Sequence, residues 1–459
     1  MTAAEATPEL DRVADRDDVA FVGHPKGLAY LCFAEGCERF SYYSMQTLLV
    51  LYMTKQLLLP GHVENIAGFG MVRAVFGNME VQPLSSAIFG TYAALVYFTP
   101  VFGGMLADGL VGRRRTVALG AILMSIGHFL MAFEQTFLLA LLALVLGVGC
   151  FKGNIASQVG SLYAQNDLRR AMAFQIFYIF INVSVIAAPL VSGTLGEKVG
   201  WHWGFGTAGV MMVVGLVIYL SGGRWLPAEE PRGKEARAER PKLSPADWGS
   251  VMALVVLIPI LAIALLTNME IFNAYLVWGD EQFNLTFFGY LAPTSWLITV
   301  DAALSFSMLV AVAAFWRFFG ARGREPDELG KMIIGSFFTI SGGLCLFAAA
   351  ALQGPGEKIG VFWPLMFHLL NSIGFAHILP VSLALFSKMA PRSINATVVS
   401  LSYFSFFGAN ALVGKVGGLY SSLPTTTFWL IHVASAVVGL VAFVIFKVTL
   451  GDRMQQPQG

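Results

Sequence analysis

Twelve apolar stretches constrain this chain more than any other feature, each long enough to cross a bilayer at about 20 residues per crossing. Six lie at roughly 28–54, 84–109, 114–133, 137–163, 170–197 and 203–222, and six more at roughly 248–279, 293–318, 331–352, 360–388, 394–420 and 426–449. Within hydrocarbon the backbone must satisfy its own polar groups, so such stretches fold as helices. A chain that is 56% hydrophobic and 12% charged is not composed like a soluble protein. Between the two sets runs GGRWLPAEEPRGKEARAERPKLSPADWGS, rich in charge and proline, which reads as a solvated linker. The expected architecture is an all-α membrane protein with 12 transmembrane helices in two six-helix bundles, residues 28–222 and 248–450. A tail over 1–27, a linker over 223–247 and a tail over 451–459 complete it.

Lysine and arginine set the expected orientation. With the N-terminus inside, inner segments hold Arg113, Arg114, Arg115, Arg169, Arg170, the linker cluster, Lys331 and Lys388, while outer segments hold Lys55, Arg73, Lys198 and Lys358. Both termini and the linker are therefore expected in the cytoplasm, and the protein in the cell inner membrane as a multi-pass chain. The first 25 residues are polar and of mixed charge, and no signal peptide is expected. Cys32, Cys37, Cys150 and Cys345 fall in apolar stretches without ligand spacing and read as buried thiols; no metal is expected.

Charge inside the apolar stretches points to function. The first, GLAYLCFAEGCERFSYYSMQTLLVLYM, carries Glu35, Glu38 and Arg39. A charge at the bilayer centre costs roughly 2.5–3.5 kcal/mol on insertion scales, so three within five residues must face protein or water. Steps of three and four residues put them and Tyr42 on one helical face, where a carboxylate can pair with the guanidinium and still titrate. Lys152 lies near the middle of the fourth stretch, out of snorkelling reach, and suits a carboxylate partner. Asn182 reads either as a polar group of a cavity or as an interhelical hydrogen bond.

The loop GGMLADGLVGRRRTVALG has Gly104, Asp108, Gly112, Arg113 and Arg114 spaced as in the loop signature of the major facilitator superfamily. Its glycines read as helix-approach positions and Asp108 as a partner of the arginines. EGCERFSYYSM resembles the ExxERFxYYG signature of the proton-dependent oligopeptide transporter (POT/PTR) family. GVGCFKGNIASQVGSLY and FQIFYIFINVSVIAAPLVSGTLGEKVGWHWGF resemble that family's fourth- and fifth-helix segments. The resemblance implies two halves that rock around a site near the membrane midplane. It implies proton coupling through Glu35, Glu38, Arg39, Lys152 and Glu270, the last in LLTNMEIFNAYLVW, and a ligand cavity walled by Tyr42, Tyr43 and Tyr97 beside Lys152 and Asn182. Each tyrosine also reads as packing or as an interface anchor.

The chain departs from that family at both positions that would hold the ends of a peptide. Where the family has an arginine for the peptide carboxylate this chain has Gln46, a loss on the order of 1.5–3 kcal/mol for a free carboxylate. Where the family has a glutamate for the peptide amine this chain has Phe375. Asp301 stands where the family usually has asparagine; it reads as peculiar to this chain or as a water-facing residue near a helix end. His368, His377 and His432 could relay protons or be satisfied polar residues.

The expectation is thus an atypical POT/PTR member, a proton-coupled symporter of small peptides or peptide-like solutes working by alternating access, and not an enzyme. The alternative is a proton-coupled exporter or importer of a non-peptide metabolite or drug-like compound. No nucleotide loop, zinc-ligand spacing or nucleophile elbow occurs, so the expected energy source is the proton gradient and no cofactor. The expected partners are substrate, protons and lipid, with no nucleic acid and a monomer as functional unit.

Overall fold

The structure, a computed structural model, describes residues 18–164, 167–227, 244–323, 325–391 and 394–454. The sequence readings of the tail over 1–17, of the linker over 228–243 and of 455–459 lie outside the described residues. Each of the twelve apolar stretches is helical over most of its length. Among the described residues, ten helices are long and apolar enough to cross a membrane. The two other expected spans are Lys26–Tyr52, which carries Glu35, Glu38 and Arg39, and Arg113–Leu130, which starts with three arginines.

The expected single span over 248–279 is broken. It comes as Pro245–Ala264, Leu266–Glu270 and Ala274–Gln282. Asn273, at φ −124 and ψ −114, leaves the helical region, and the Glu270 carboxylate takes the Ala274 backbone N–H at 3.1 Å. A side chain thereby replaces a backbone acceptor at the start of a helix, as a cap does. A short hairpin pairs Thr286–Phe287 with Tyr290–Leu291, turning through Phe288 (φ 51) and Gly289 (φ 80). Two consecutive left-handed residues suit a two-residue hairpin turn, a signal that the aromatic run hides in the sequence.

The described residues pack as two compact units, and the division falls within the Lys26–Tyr52 helix. The first comprises residues 18–45, 65–67 and 99–227; the second comprises 46–64, 68–98 and 244–454. Helix count divides the chain six and six, whereas packing groups Val81–Phe98 with the later helices. Small residues explain the close approaches. In the first unit a Cβ on Gly103 would lie 1.9 Å from the Gly149 carbonyl oxygen. In the second, a Cβ on Gly90 would lie 2.3 Å from Gly414 Cα, so Val81–Phe98 and Tyr403–Val416 cross backbone to backbone. Without a hydrophobic drive between helices in lipid, this packing supplies the association.

Candidate functional site

In the first unit, one helix turn collects the buried charges. Glu35, Glu38 and Arg39 are 3%, 0% and 6% exposed. Arg39 Nε donates to Glu35 Oε1 at 2.7 Å and lies 2.9 Å from Glu38 Oε2. The second contact is an ion pair without hydrogen-bond alignment, and both Glu38 oxygens lack a hydrogen-bond donor among the described residues. Protonating Glu38 therefore breaks no hydrogen bond.

Lys152, from Phe137–Ser161, joins this group. Its Nζ lies 5.6 Å from the centre of the Tyr42 ring, and the Arg39 guanidinium carbon lies 5.7 Å from the same ring. Lys152 also interacts electrostatically with Glu38 and Glu35. Two carboxylates and two cations give −2 + 2 = 0, so the cluster is neutral when fully ionised and gains a net positive charge with one added proton. Tyr42 is buried between cations as an electron-rich face, and Tyr43 meets it edge-on with ring centres 5.1 Å apart.

The half-buried Asn182 donates its amide to the Tyr178 carbonyl of its own helix at 2.8 Å. Such back-bonding satisfies an amide wherever the turn above offers a carbonyl. Sequence reasoning passed over Ser41, and read Ser44 only as a serine where the family usually has glycine. Ser44 Oγ donates to the Phe40 carbonyl at 2.7 Å and to Ser192 Oγ at 2.8 Å, and Ser41 Oγ bonds His128 Nε2. A histidine in an apolar run was the available signal for that last pair.

The loop signature keeps part of its expected role. Asp108 pairs with Arg113 at 3.5 Å, and Arg114 holds the Leu226 carbonyl and, at 2.9 Å, the Pro227 carbonyl. Gly112, at φ 93, starts the Arg113–Leu130 helix in a conformation costly for other residues. Gly104 is corrected: a Cβ there meets open space, and the close helix approach belongs to Gly103 one residue earlier.

In the second unit, Glu270 is fully buried at the helix break. Its Oε1 accepts from Asn273 Nδ2 at 3.0 Å and from the Ala274 N–H, and its Oε2 lies 3.4 Å from His432 Nε2. Asp301 is not the water-facing residue that one reading allowed. It is buried, and its Oδ1 lies 2.8 Å from His368 Nδ1, whose Nε2 accepts from the Tyr275 hydroxyl at 2.8 Å. The Asp301 carboxylate can only accept, so Nδ1 carries a hydrogen toward it. His377 is likewise occupied at both nitrogens: Nδ1 donates to the Ile373 carbonyl at 2.8 Å and Nε2 accepts from Trp316 Nε1 at 3.0 Å. A proton relay through His377 would have to break one of these bonds.

Gln46 is 2% exposed, and its amide oxygen accepts nothing among the described residues. Tyr97 stacks on Phe406 with ring centres 4.8 Å apart and planes at 13°, while Phe375 is half-buried. Asn273 and Tyr275 escaped sequence reasoning, although Asn273 sits three residues after Glu270, on its helical face.

Residues 114–251 match the POT family (PTR2). The chain is 26% identical to a di-/tripeptide transporter of Lactococcus lactis subsp. cremoris, covering 94% of this chain and 97% of that one. It is 28% identical to the peptide transporter YePEPT of Yersinia enterocolitica, over 87% and 88% of the two chains. A crystal structure of a peptide transporter POT in complex with sulfate superposes with a TM-score of 0.80 at 25% identity, over 97% of each chain. The helical fold, the charge motif of the first helix and these likenesses make the chain similar to POT family transporters over most of its length, a multi-pass membrane transport protein of major facilitator fold and not an enzyme.

Proposed function

We propose that the protein is a proton-coupled symporter of small peptides or peptide-like solutes that works by alternating access, with both termini in the cytoplasm. The observation that carries this reading is the buried cluster of Glu35, Glu38, Arg39 and Lys152, neutral when ionised and unbalanced by a single proton. Protonating Glu38 frees the cations to pair elsewhere, and that difference in pairing is what lets proton binding shift a conformational population. Each 100 mV of membrane potential supplies about 2.3 kcal/mol per charge moved, enough to concentrate a solute. The peptide class rests on the peptide-transporting relatives.

Uptake into proteoliposomes tests it. Labelled di- and tripeptides accumulate under an imposed inward proton gradient, and an uncoupler abolishes the accumulation. Uptake indifferent to the gradient removes the coupling.

A second reading keeps the fold and changes the solute to a non-peptide metabolite or drug-like compound, moved in either direction. Gln46 and Phe375 favour it, since neither brings a charge opposite to a peptide terminus. A thermal-shift screen separates the two, because a ligand of the native state raises its apparent melting point. Stabilisation by dipeptides, lost when they are amidated or N-acetylated, supports peptides; stabilisation by uncharged amphiphiles alone supports the second reading.

A further inference from the structure

Two cations of the first unit share one indole ring. Lys26 opens the Lys26–Tyr52 helix, and its Nζ lies 4.8 Å from the centre of the Trp225 ring. The Arg224 guanidinium carbon lies 5.0 Å from the same centre. Among the described residues neither cation has a carboxylate partner, and Trp225 Nε1 is buried with no acceptor. An ammonium, a guanidinium and an indole N–H can only donate, so three donors meet around one ring that brings them no anion.

Backbone contacts hold that ring in place. Trp225 follows the Trp201–Ser221 helix, and its N–H donates to the Gly222 carbonyl at 2.8 Å. Its own carbonyl lies so close to the first turn of the Lys26–Tyr52 helix that a Cβ on Gly27 would stand 2.3 Å from the oxygen. Just beyond it, Arg114 takes the Leu226 and Pro227 carbonyls. The half-buried Lys26 and the exposed Arg224 are thus displayed on a fixed support.

The acids described on this face of the unit are engaged elsewhere. Asp18 accepts from the Ala20 and Lys26 backbone N–H groups, Asp108 pairs with Arg113, and Asp167 pairs with Arg169. Lys26 begins one expected span and Trp225 lies just past the end of another. The group therefore sits at the headgroup level, where tryptophan is favoured and where lipid phosphates lie. A headgroup of net negative charge matches two unpaired cations, whereas a zwitterionic one brings its own ammonium against them.

We propose that Lys26, Arg224 and Trp225 form a binding site for the phosphate of an anionic membrane lipid, at the face of the membrane where the first helix begins. The lipid phosphate lies between the ammonium and the guanidinium, with the indole N–H as a third donor. It ties the start of the Lys26–Tyr52 helix to the end of the Trp201–Ser221 helix. The site is separate from the Glu35, Glu38, Arg39 and Lys152 cluster and does not depend on which solute is carried.

The test is the melting temperature of the purified full-length chain in neutral detergent, titrated with phosphatidylglycerol, phosphatidylcholine or soluble glycerol phosphate, since a ligand of the native state raises it. Phosphatidylglycerol is expected to raise it at concentrations where the other two do not. Lys26→Gln and Arg224→Gln each move that titration to about fivefold higher concentration. Trp225→Phe, which keeps a ring and loses the N–H, also moves it upward. Arg115→Gln, an exposed charge on the same face, leaves it in place. Equal stabilisation by phosphatidylcholine or by glycerol phosphate overturns the proposal. So does a titration that Lys26→Gln and Arg224→Gln leave unmoved, or one that Arg115→Gln weakens as much. A lower melting temperature of the two glutamine variants without lipid, with the lipid response intact, assigns the cations to acids of the chain such as Glu229 and Glu230 and also overturns it. If a glutamine variant does not fold, the lipid selectivity of the wild type and Trp225→Phe still decide.

Discussion

At Arg39 one guanidinium answers two buried carboxylates, and what can be removed there differs by residue. Arg39→Ala leaves Glu35 and Glu38 buried without their ion pair, and loss of one partner of a buried pair costs about 3–5 kcal/mol. A large drop in melting temperature of the detergent-solubilised protein is expected. Glu38→Gln removes a charge that accepts no hydrogen bond, so a smaller drop is expected, together with uptake that no longer responds to an imposed proton gradient. If Glu38→Gln transport still follows the gradient, Glu38 is not the proton acceptor. The pairing of Glu35, Glu38 and Arg39 was legible from spacing alone, because residues three and four apart share a helical face. The approach of Lys152 to Tyr42 was not, and neither was the bond between Asp301 and His368, 67 residues apart. Side chains on different helices meet only through the packing of those helices.

Among the elements, the Glu328–Leu352 helix is held at its start by Asp327. Its carboxylate accepts from the Gly330 N–H at 2.9 Å and from Lys447 Nζ at 2.5 Å. Burial pushes its pKa up, but the Lys447 ammonium and the backbone N–H outweigh burial and hold it below the usual carboxylate range. A depressed folded-state pKa means the stabilisation is present at neutral pH and is lost as pH falls through that value. Asp327→Asn is therefore expected to be less stable than wild type at pH 7 and equal to it in strong acid. Asp327→Ala should cost about 0.5–2 kcal/mol as a lost cap. Melting curves of the three proteins against pH check both. Gly90 is the packing counterpart: a Cβ 2.3 Å from Gly414 Cα forces the Val81–Phe98 and Tyr403–Val416 helices apart, at about 1–3 kcal/mol for Gly90→Ala. Gly417→Ala, by contrast, drives a methyl into Asn273 Nδ2 and Glu270 Oε1, and is expected to disturb gradient-driven uptake more than melting temperature. The helices themselves were readable from apolar length. The break at Glu270–Ala274 was not, since LTNMEIFNAYLVW contains neither proline nor glycine and a side-chain cap replaces the backbone bond.

Over the whole molecule, the sequence alone determined the helical membrane architecture, because hydrocarbon leaves a long apolar stretch one way to satisfy its backbone. It also carried the resemblance to the POT family, through the ExxER run and the two later motifs on neighbouring stretches. It located the charges that cost most to bury, since cost depends on residue type and on depth in the stretch. Tertiary structure decided which of those charges meet. It put Lys152 beside the first-helix cluster, gave Asp301 a histidine, and occupied both nitrogens of His377. It also set His432 Nε2 against Glu270 Oε2. Hydrogen-bond partners are fixed by distances of a few ångströms between helices remote in sequence, and the close approach that sets those distances depends on glycines such as Gly90, Gly103 and Gly414, whose positions alone do not name their neighbours.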